Sequence, residues 1–175
     1  MRAILSVFLV VFFFTVKCFA TIDTITAVTK DVESIDAIIK TLYNVISGAA
    51  GEKRNWNRMR ILFLPEGKLV ATGVTTMGEK VKRVMTVEDY ITRNGPVLEK
   101  NGFFEIEIHR KQEVYGNIAH CFSTYESRKT VTDVEPFMRG INSIQLYFDG
   151  KRWWILSVFW QNEHKDLPIP KIYLR

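Results

Sequence analysis

Cysteine is nearly absent from this 175-residue chain: Cys18 and Cys121 are its only two. If the N-terminal leader argued below is removed, Cys121 is left alone and no disulfide can form within the chain, so stability has to come from a packed core. Proline is also sparse, at five residues. No tract is rich in proline, glycine or serine, and no repeat divides the sequence into linked units. A G-x-S-x-G elbow, a phosphate-cradling glycine loop, a dinucleotide fingerprint and paired C-x-x-C ligands are all missing, which removes the best-marked routes to hydrolase, nucleotide or zinc chemistry. No cofactor and no metal are expected. With 47% hydrophobic and 13% aromatic residues, the chain is too apolar for disorder and long enough for one domain with a real core.

The N-terminus reads as a leader. Arg2 precedes an apolar run over residues 3–14, and Cys18-Phe19-Ala20 places small residues where a signal peptidase reads them. Cleavage after Ala20 and export, to a periplasm or outside the cell, are expected. The apolar run falls short of the roughly 20 residues that cross a hydrocarbon core, so no stable membrane anchor is expected after removal. Val16 and Lys17, where a lipoprotein signal places small residues, argue against lipidation of Cys18. Loss of Arg2 and Lys17 leaves 22 basic residues against 19 acidic, a net of +3. Basic and acidic residues interleave, as at Glu79, Lys80, Lys82, Arg83 and Glu88, so no phosphate-tracking stripe forms and nucleic acid is not an expected partner.

Periodicity then gives helices first and strands afterwards. Ile35, Ile38, Ile39, Leu42 and Ile46 recur at helical spacing opposite Asp36, Lys40 and Asn44, which predicts an amphipathic helix over residues 32–47. Asn55 is placed to cap a short helix carrying Trp56 and Met59, and Pro65 stops it. Strands are expected over residues 68–76 and 81–85. Thr86-Val87-Glu88-Asp89 opens a third helix that Gly95-Pro96 should interrupt near Thr92. Residues 104–109 alternate and return over 118–128 across Gly116-Asn117; a second hairpin joins 140–148 to 152–161 across Asp149-Gly150. The architecture expected is α+β, with about three N-terminal helices packed on the concave face of a strongly curved antiparallel sheet. The divisions are 1–20 signal peptide, 21–31 flexible segment, 32–163 domain and 164–175 polar tail.

The order of these segments carries a resemblance: W-N-R-M-R-I-L-F-L-P-E-G after a long first helix, T-V-E-D-Y-I on the next helix, N-G-F-F-E-I before the long hairpin, and F-D-G-K-R-W-W-I at the end. Over residues 32–163 the chain resembles the nuclear transport factor 2-like superfamily, in particular its SnoaL-like bacterial members. That resemblance implies a cone-shaped fold enclosing a pocket, and a homodimer formed through the sheet. It implies little about chemistry, because the superfamily hosts isomerases, dehydratases, cyclases, epoxide hydrolases and many proteins that only bind.

Candidate residues follow from burial and residue type. If the first hairpin pairs residues whose numbers sum to about 231, His109 and His120 lie diagonally on one face, though two histidines fall short of a metal set. Glu105 and Glu107 alternate with apolar neighbours and read as residues of a solvated face. His120, between Ala119 and Cys121, is the candidate catalytic base. Tyr43, Trp56, Tyr90, His120, Asn142 and Gln145 are the candidate ligand-binding set, combining rings with a few polar groups as cavities for small apolar or aromatic molecules do. In the last strand, alternation separates Trp153, Ile155, Ser157 and Phe159 from Trp154, Leu156, Val158 and Trp160, and the second set is expected to meet a partner subunit. Three readings stand at this level. The first is an exported small-molecule-binding protein; the second is a lyase or isomerase using a pocket acid/base such as His120; the third is an interaction module using the sheet face. Enzyme or not is left open.

Overall fold

The computed structural model describes residues 29–174. The expected signal peptide and most of the segment 21–31 lie outside the described residues. Residues 29–32 are helical and end at Glu33-Ser34, so the first amphipathic helix, α1, spans Ile35–Ile46 and not 32–47. The reason is local: Ser34 is extended, and its hydroxyl accepts from the Ala37 N–H at 3.1 Å, which caps a new helix start. Helix α2 spans Trp56–Arg60 and is capped as expected, with the Asn55 side chain accepting from Arg58 N–H.

Helix α3 runs over Val87–Asn101, straight through the anticipated break at Gly95-Pro96. Thr86 and Asp89 form a reciprocal capping box that fixes its start. Pro96 removes one helical N–H bond, a cost that tertiary packing offsets here. Gly95 permits that packing, since a Cβ there would sit 3.1 Å from the Trp56 ring. Trp56 Nε1 also donates to Glu99 at 3.0 Å, which ties α2 to α3.

Six strands follow: β1 Phe63–Val74, β2 Lys80–Met85, β3 Phe104–Tyr115, β4 Ile118–Arg128, β5 Met138–Phe148 and β6 Trp153–Asn162. They form one open sheet in the order β2-β1-β6-β5-β4-β3. The sheet is mixed, not purely antiparallel: β1 lies parallel to β6, while every other pair is antiparallel. The two expected hairpins are present, with Gly116 and Gly150 supplying positive φ at their turns. Irregularities in β1, between Glu107 and His109 in β3, and between β5 and β6 interrupt the ladders and bend the sheet.

The bulge at Leu156 overturns the simple alternation expected of the last strand. Ile144 pairs with Val158 and Leu146 with Ile155, so Ile155 and Val158 both point to the helices although their numbers differ by three. Trp160 follows Val158 inward, whereas Phe159 is left 45% exposed on the opposite face. The core lies between helices and sheet, with Ile38 and Ile39 of α1, Met59 of α2, Leu62, Ile144 and Ile155 essentially fully buried. The tail is not a free polar segment. Leu167 to Tyr173 folds back over the far side of the sheet: Ile169 N–H donates to Glu163, Thr124 Oγ1 donates to the Tyr173 carbonyl at 2.7 Å, and the Phe122 and Tyr173 rings meet at 5.0 Å.

Candidate functional site

Between the helices and the concave face lies a cavity of about 200 Å³. Tyr43 from α1, Tyr90 from α3, Phe103, Tyr125 and Trp160 supply its rings, and Leu42, Leu69, Leu98 and Val158 supply aliphatic wall. Tyr90 and Trp160 meet edge to face at 6.4 Å. The polar groups are few: Asn94, Glu105 and Asn142. Such a wall, apolar with convergent polar groups, suits a small ligand, and the volume is below the roughly 300–1,000 Å³ of drug-sized sites.

Glu105 is the chemical centre of this wall. It pairs with Ser127 across β3 and β4 and points inward with it, contrary to its expected place on a solvated face. The apolar neighbours Ile106 and Ile108 are the ones turned outward. Burial pushes the Glu105 carboxyl up to about 7, against the opposing effect of hydrogen bonds from Ser127 and Asn142. Ser127 Oγ donates to Oε2 at 2.9 Å. The charge of Glu105 in turn raises Tyr43, Tyr90 and Tyr125, each already raised mainly by burial.

Glu107 also faces inward, and a directed chain of hydrogen bonds ends on it. Arg110 clamps its carboxylate with Nε at 2.9 Å and Nη2 at 2.7 Å, and reaches Asp36 of α1 at 2.7 Å. Ser123 Oγ donates to Glu107 Oε1 at 2.5 Å. Because the Ser123 proton is committed there, the 2.7 Å contact between Tyr43 Oη and Ser123 Oγ has Tyr43 as donor. Asn142 Nδ2 then donates to Tyr43 Oη at 3.0 Å. Every proton in the chain points toward Glu107, so the Tyr43 hydroxyl offers none to the cavity.

The structure separates the residues singled out from sequence. Tyr43, Tyr90 and Asn142 line the cavity together. Trp56 does not: its ring fills the crossing of α2 and α3. His120 and Gln145 pair with each other on the opposite side of the sheet, because inward positions on β4 and β5 are Ala119, Cys121, Ser123 and Asn142, Ile144, Leu146. His120 bonds Ser143 at 3.1 Å, and Gln145 is exposed. Contrary to expectation, neither His120 nor Gln145 lines the cavity, so His120 is not placed to act as a base there. The two histidines also fail to meet. The tight turn pairs Tyr115 with Ile118, so His120 faces Glu113 while His109 faces Thr124, four positions away. Among the described residues no cluster could hold a metal.

Sequence reasoning missed Glu105, Asn94 and Phe103. Alternation gives two faces to β3 without saying which is inside, and nothing local to Glu105 marks it.

No family model matches the chain, and no curated protein does. Solved structures do. A cystatin-like-fold protein of unknown function from Nostoc punctiforme superposes with a TM-score of 0.56 at 10% identity, covering 75% of this chain and 90% of that one. An uncharacterized protein of cystatin-like fold from Caulobacter vibrioides gives 0.54 at 12%, covering 77% and 90%. A nuclear transport factor 2-like superfamily protein from Salmonella enterica gives 0.53 at 17%, covering 81% and 94%. At such identities the likeness is one of fold: this chain has the nuclear transport factor 2-like, or cystatin-like, α+β fold.

Proposed function

We propose that this is an exported protein that binds a small, largely apolar molecule in the cavity under α1 and α3. The observation that carries the reading is a desolvated carboxyl, Glu105, set in a wall otherwise made of rings and aliphatic side chains. A thermal-shift screen of small apolar compounds tests it. Compounds that raise the melting temperature of the wild type should lose their effect in Leu98→Trp, which fills the cavity; hits that bind Leu98→Trp equally well would refute the site.

Glu105 also supports a second reading. A carboxyl that titrates near neutrality is suited to proton transfer, so a lyase or isomerase activity would run through Glu105. Hits from the screen that are turned over by wild type but only bound by Glu105→Gln would establish it.

Two further parts of the proposal concern the whole protein. Export rests on the leader-like sequence, and the mass of the protein from its native host should correspond to a chain starting at Thr21. Assembly rests on the convex face, where Phe159, Leu156 and Tyr147 are 45%, 44% and 39% exposed beside the folded-back tail. A second copy packed there would form a homodimer, centred on these residues and not on Trp160, which turns inward. Sedimentation should show a dimer at micromolar concentration that Phe159→Asp converts to monomer. Among the described residues no helix is long and apolar enough to cross a membrane.

A further inference from the structure

The polar groups in the cavity share a character that narrows the ligand. Glu105 accepts from Ser127 and is supported by the Asn142 amide, which leaves part of its acceptor capacity unused, since a carboxylate offers about four lone-pair sites. Asn94 gives one Nδ2 hydrogen to the Tyr90 carbonyl at 3.1 Å, and among the described residues none donates to its Oδ1. Asn142 gives one Nδ2 hydrogen to Tyr43 and supports Glu105 with the same amide, and among the described residues none donates to its Oδ1. The Tyr43 proton is directed away, toward Ser123. Carbonyl and carboxylate acceptors thus gather in one cavity, where among the described residues no Lys, Arg or His side chain lines the wall and the Tyr90 hydroxyl, without a hydrogen-bond partner among them, can accept as well as donate. The surrounding rings of Tyr43, Tyr90, Phe103, Tyr125 and Trp160 add the negative faces of their π-systems.

We infer that the cavity selects a small organic amine in its protonated form, its ammonium group against Glu105 and the Asn94 and Asn142 carbonyls, its apolar body among the rings. The inference rests on the binding reading above and gives it a chemical class. An ammonium brings N–H donors and a positive charge where the protein supplies acceptors and none. A carboxylic acid would place like charges together. A neutral alcohol can donate one hydrogen bond to the carboxylate but leaves its charge uncompensated, and a ketone donates none. The titratable groups facing Glu105 are Tyr43 from α1, Tyr90 from α3, Tyr125 from β4 and, along its own strand, Glu107 held by Arg110. The tyrosines are shifted upward and stay neutral, and Glu107 is already paired, so Glu105 is the group whose charge changes near neutrality.

Calorimetric titration with benzylamine, benzyl alcohol and benzoate, which share a ring and differ in the head group, tests the inference. Benzylamine should bind roughly ten- to a hundredfold more tightly than benzyl alcohol, the range of a hydrogen bond to a charged group, and benzoate should not bind. Glu105→Gln should remove the amine preference, bringing the benzylamine affinity to that of benzyl alcohol. In the wild type, which needs no substitution, benzylamine affinity should rise from about pH 6 to about pH 8, because at the lower pH the amine must displace a proton from Glu105. Equal affinity for amine and alcohol, or an amine affinity that does not rise between about pH 6 and about pH 8, overturns the amine assignment and leaves the cavity reading intact. Binding of none of the three, together with no hits in the broader screen, overturns both.

Discussion

The two faces of strands β3 to β6 each depart in part from the usual expectation of a half-buried sheet, although Ile144, Leu146, Ile155 and Val158 do pack inward. On the concave face, under the helices, Ser123, Thr124's neighbour on β4, and Ser127 are fully buried, Asn142 is nearly so, and Glu105 and Glu107 point inward with them. On the convex face Ile106, Ile118 and Phe159 are 50%, 61% and 45% exposed. Polar groups inside are tolerated because each is hydrogen-bonded: Ser127 to Glu105, Asn142 to Tyr43, Tyr43 to Ser123, and Ser123 to Glu107. Apolar groups outside form a surface that the tail covers only in part. The inner face thus combines an apolar core with a few hydrogen-bonded polar groups, and the outer face carries exposed apolar side chains.

The largest test of this comparison is truncation on each side. Met59→Ala, in the fully buried core above the concave face, should cost about 2–5 kcal/mol in urea unfolding, whereas Phe159→Ala on the convex face should cost less than about 1 kcal/mol in the monomer. Equal costs would mean the convex face is as well packed as the core.

Next in size is the pH dependence that Glu105 imposes. Its folded-state pKa is raised from 4.5 to about 7, so the folded state holds this proton more tightly than the unfolded chain. Its contribution is complete below about pH 4.5, is lost as pH rises through about 7, and stays lost above. Glu105→Gln should therefore be more stable than the wild type by about 2–3 kcal/mol at about pH 8, with the difference vanishing in acid. Thermal unfolding of both proteins across this range reads it directly; a wild type that gains stability relative to the variant as pH rises would show that Glu105 is not desolvated.

Hydroxyl removal sharpens the same contrast. Tyr43→Phe strips the link between Asn142 and Ser123 and should cost about 1–3 kcal/mol, while Tyr147→Phe, on an exposed convex ring, should change nothing measurable. The smallest effect is expected at His120. His120→Ala should alter stability by no more than about 0.5 kcal/mol and leave cavity ligands bound as before, since the residue lies on the other side of the sheet.

Much of the architecture is legible in local sequence. The 3.6-residue recurrence of Ile35, Ile38, Ile39 and Leu42, the caps at Asn55 and Thr86, and the glycine turns at Gly116 and Gly150 each depend on neighbours within a few positions, so α1, α2, the start of α3 and both hairpins follow from them. The order of those elements is what makes the fold class readable. Where a local rule and a tertiary contact conflicted, the contact prevailed: α3 continues through Gly95-Pro96 because the Trp56 ring packs there.

The face of each strand is a different kind of information. A two-residue period divides Glu105 and Glu107 from Ile106 and Ile108, and the division is the same whichever set is inside; only the docking of α1, with Tyr43 bonded to Ser123 and Asn142, settles it. A bulge at Leu156 then moves Trp160 inward and Phe159 outward, which no alternation could show. The sequence by itself determined the elements, their caps and their order, because those are set by short-range backbone and side-chain preferences. Tertiary structure alone decided that Glu105, and not His120, sits at the cavity, because inside and outside exist only once the sheet has bent around its helices.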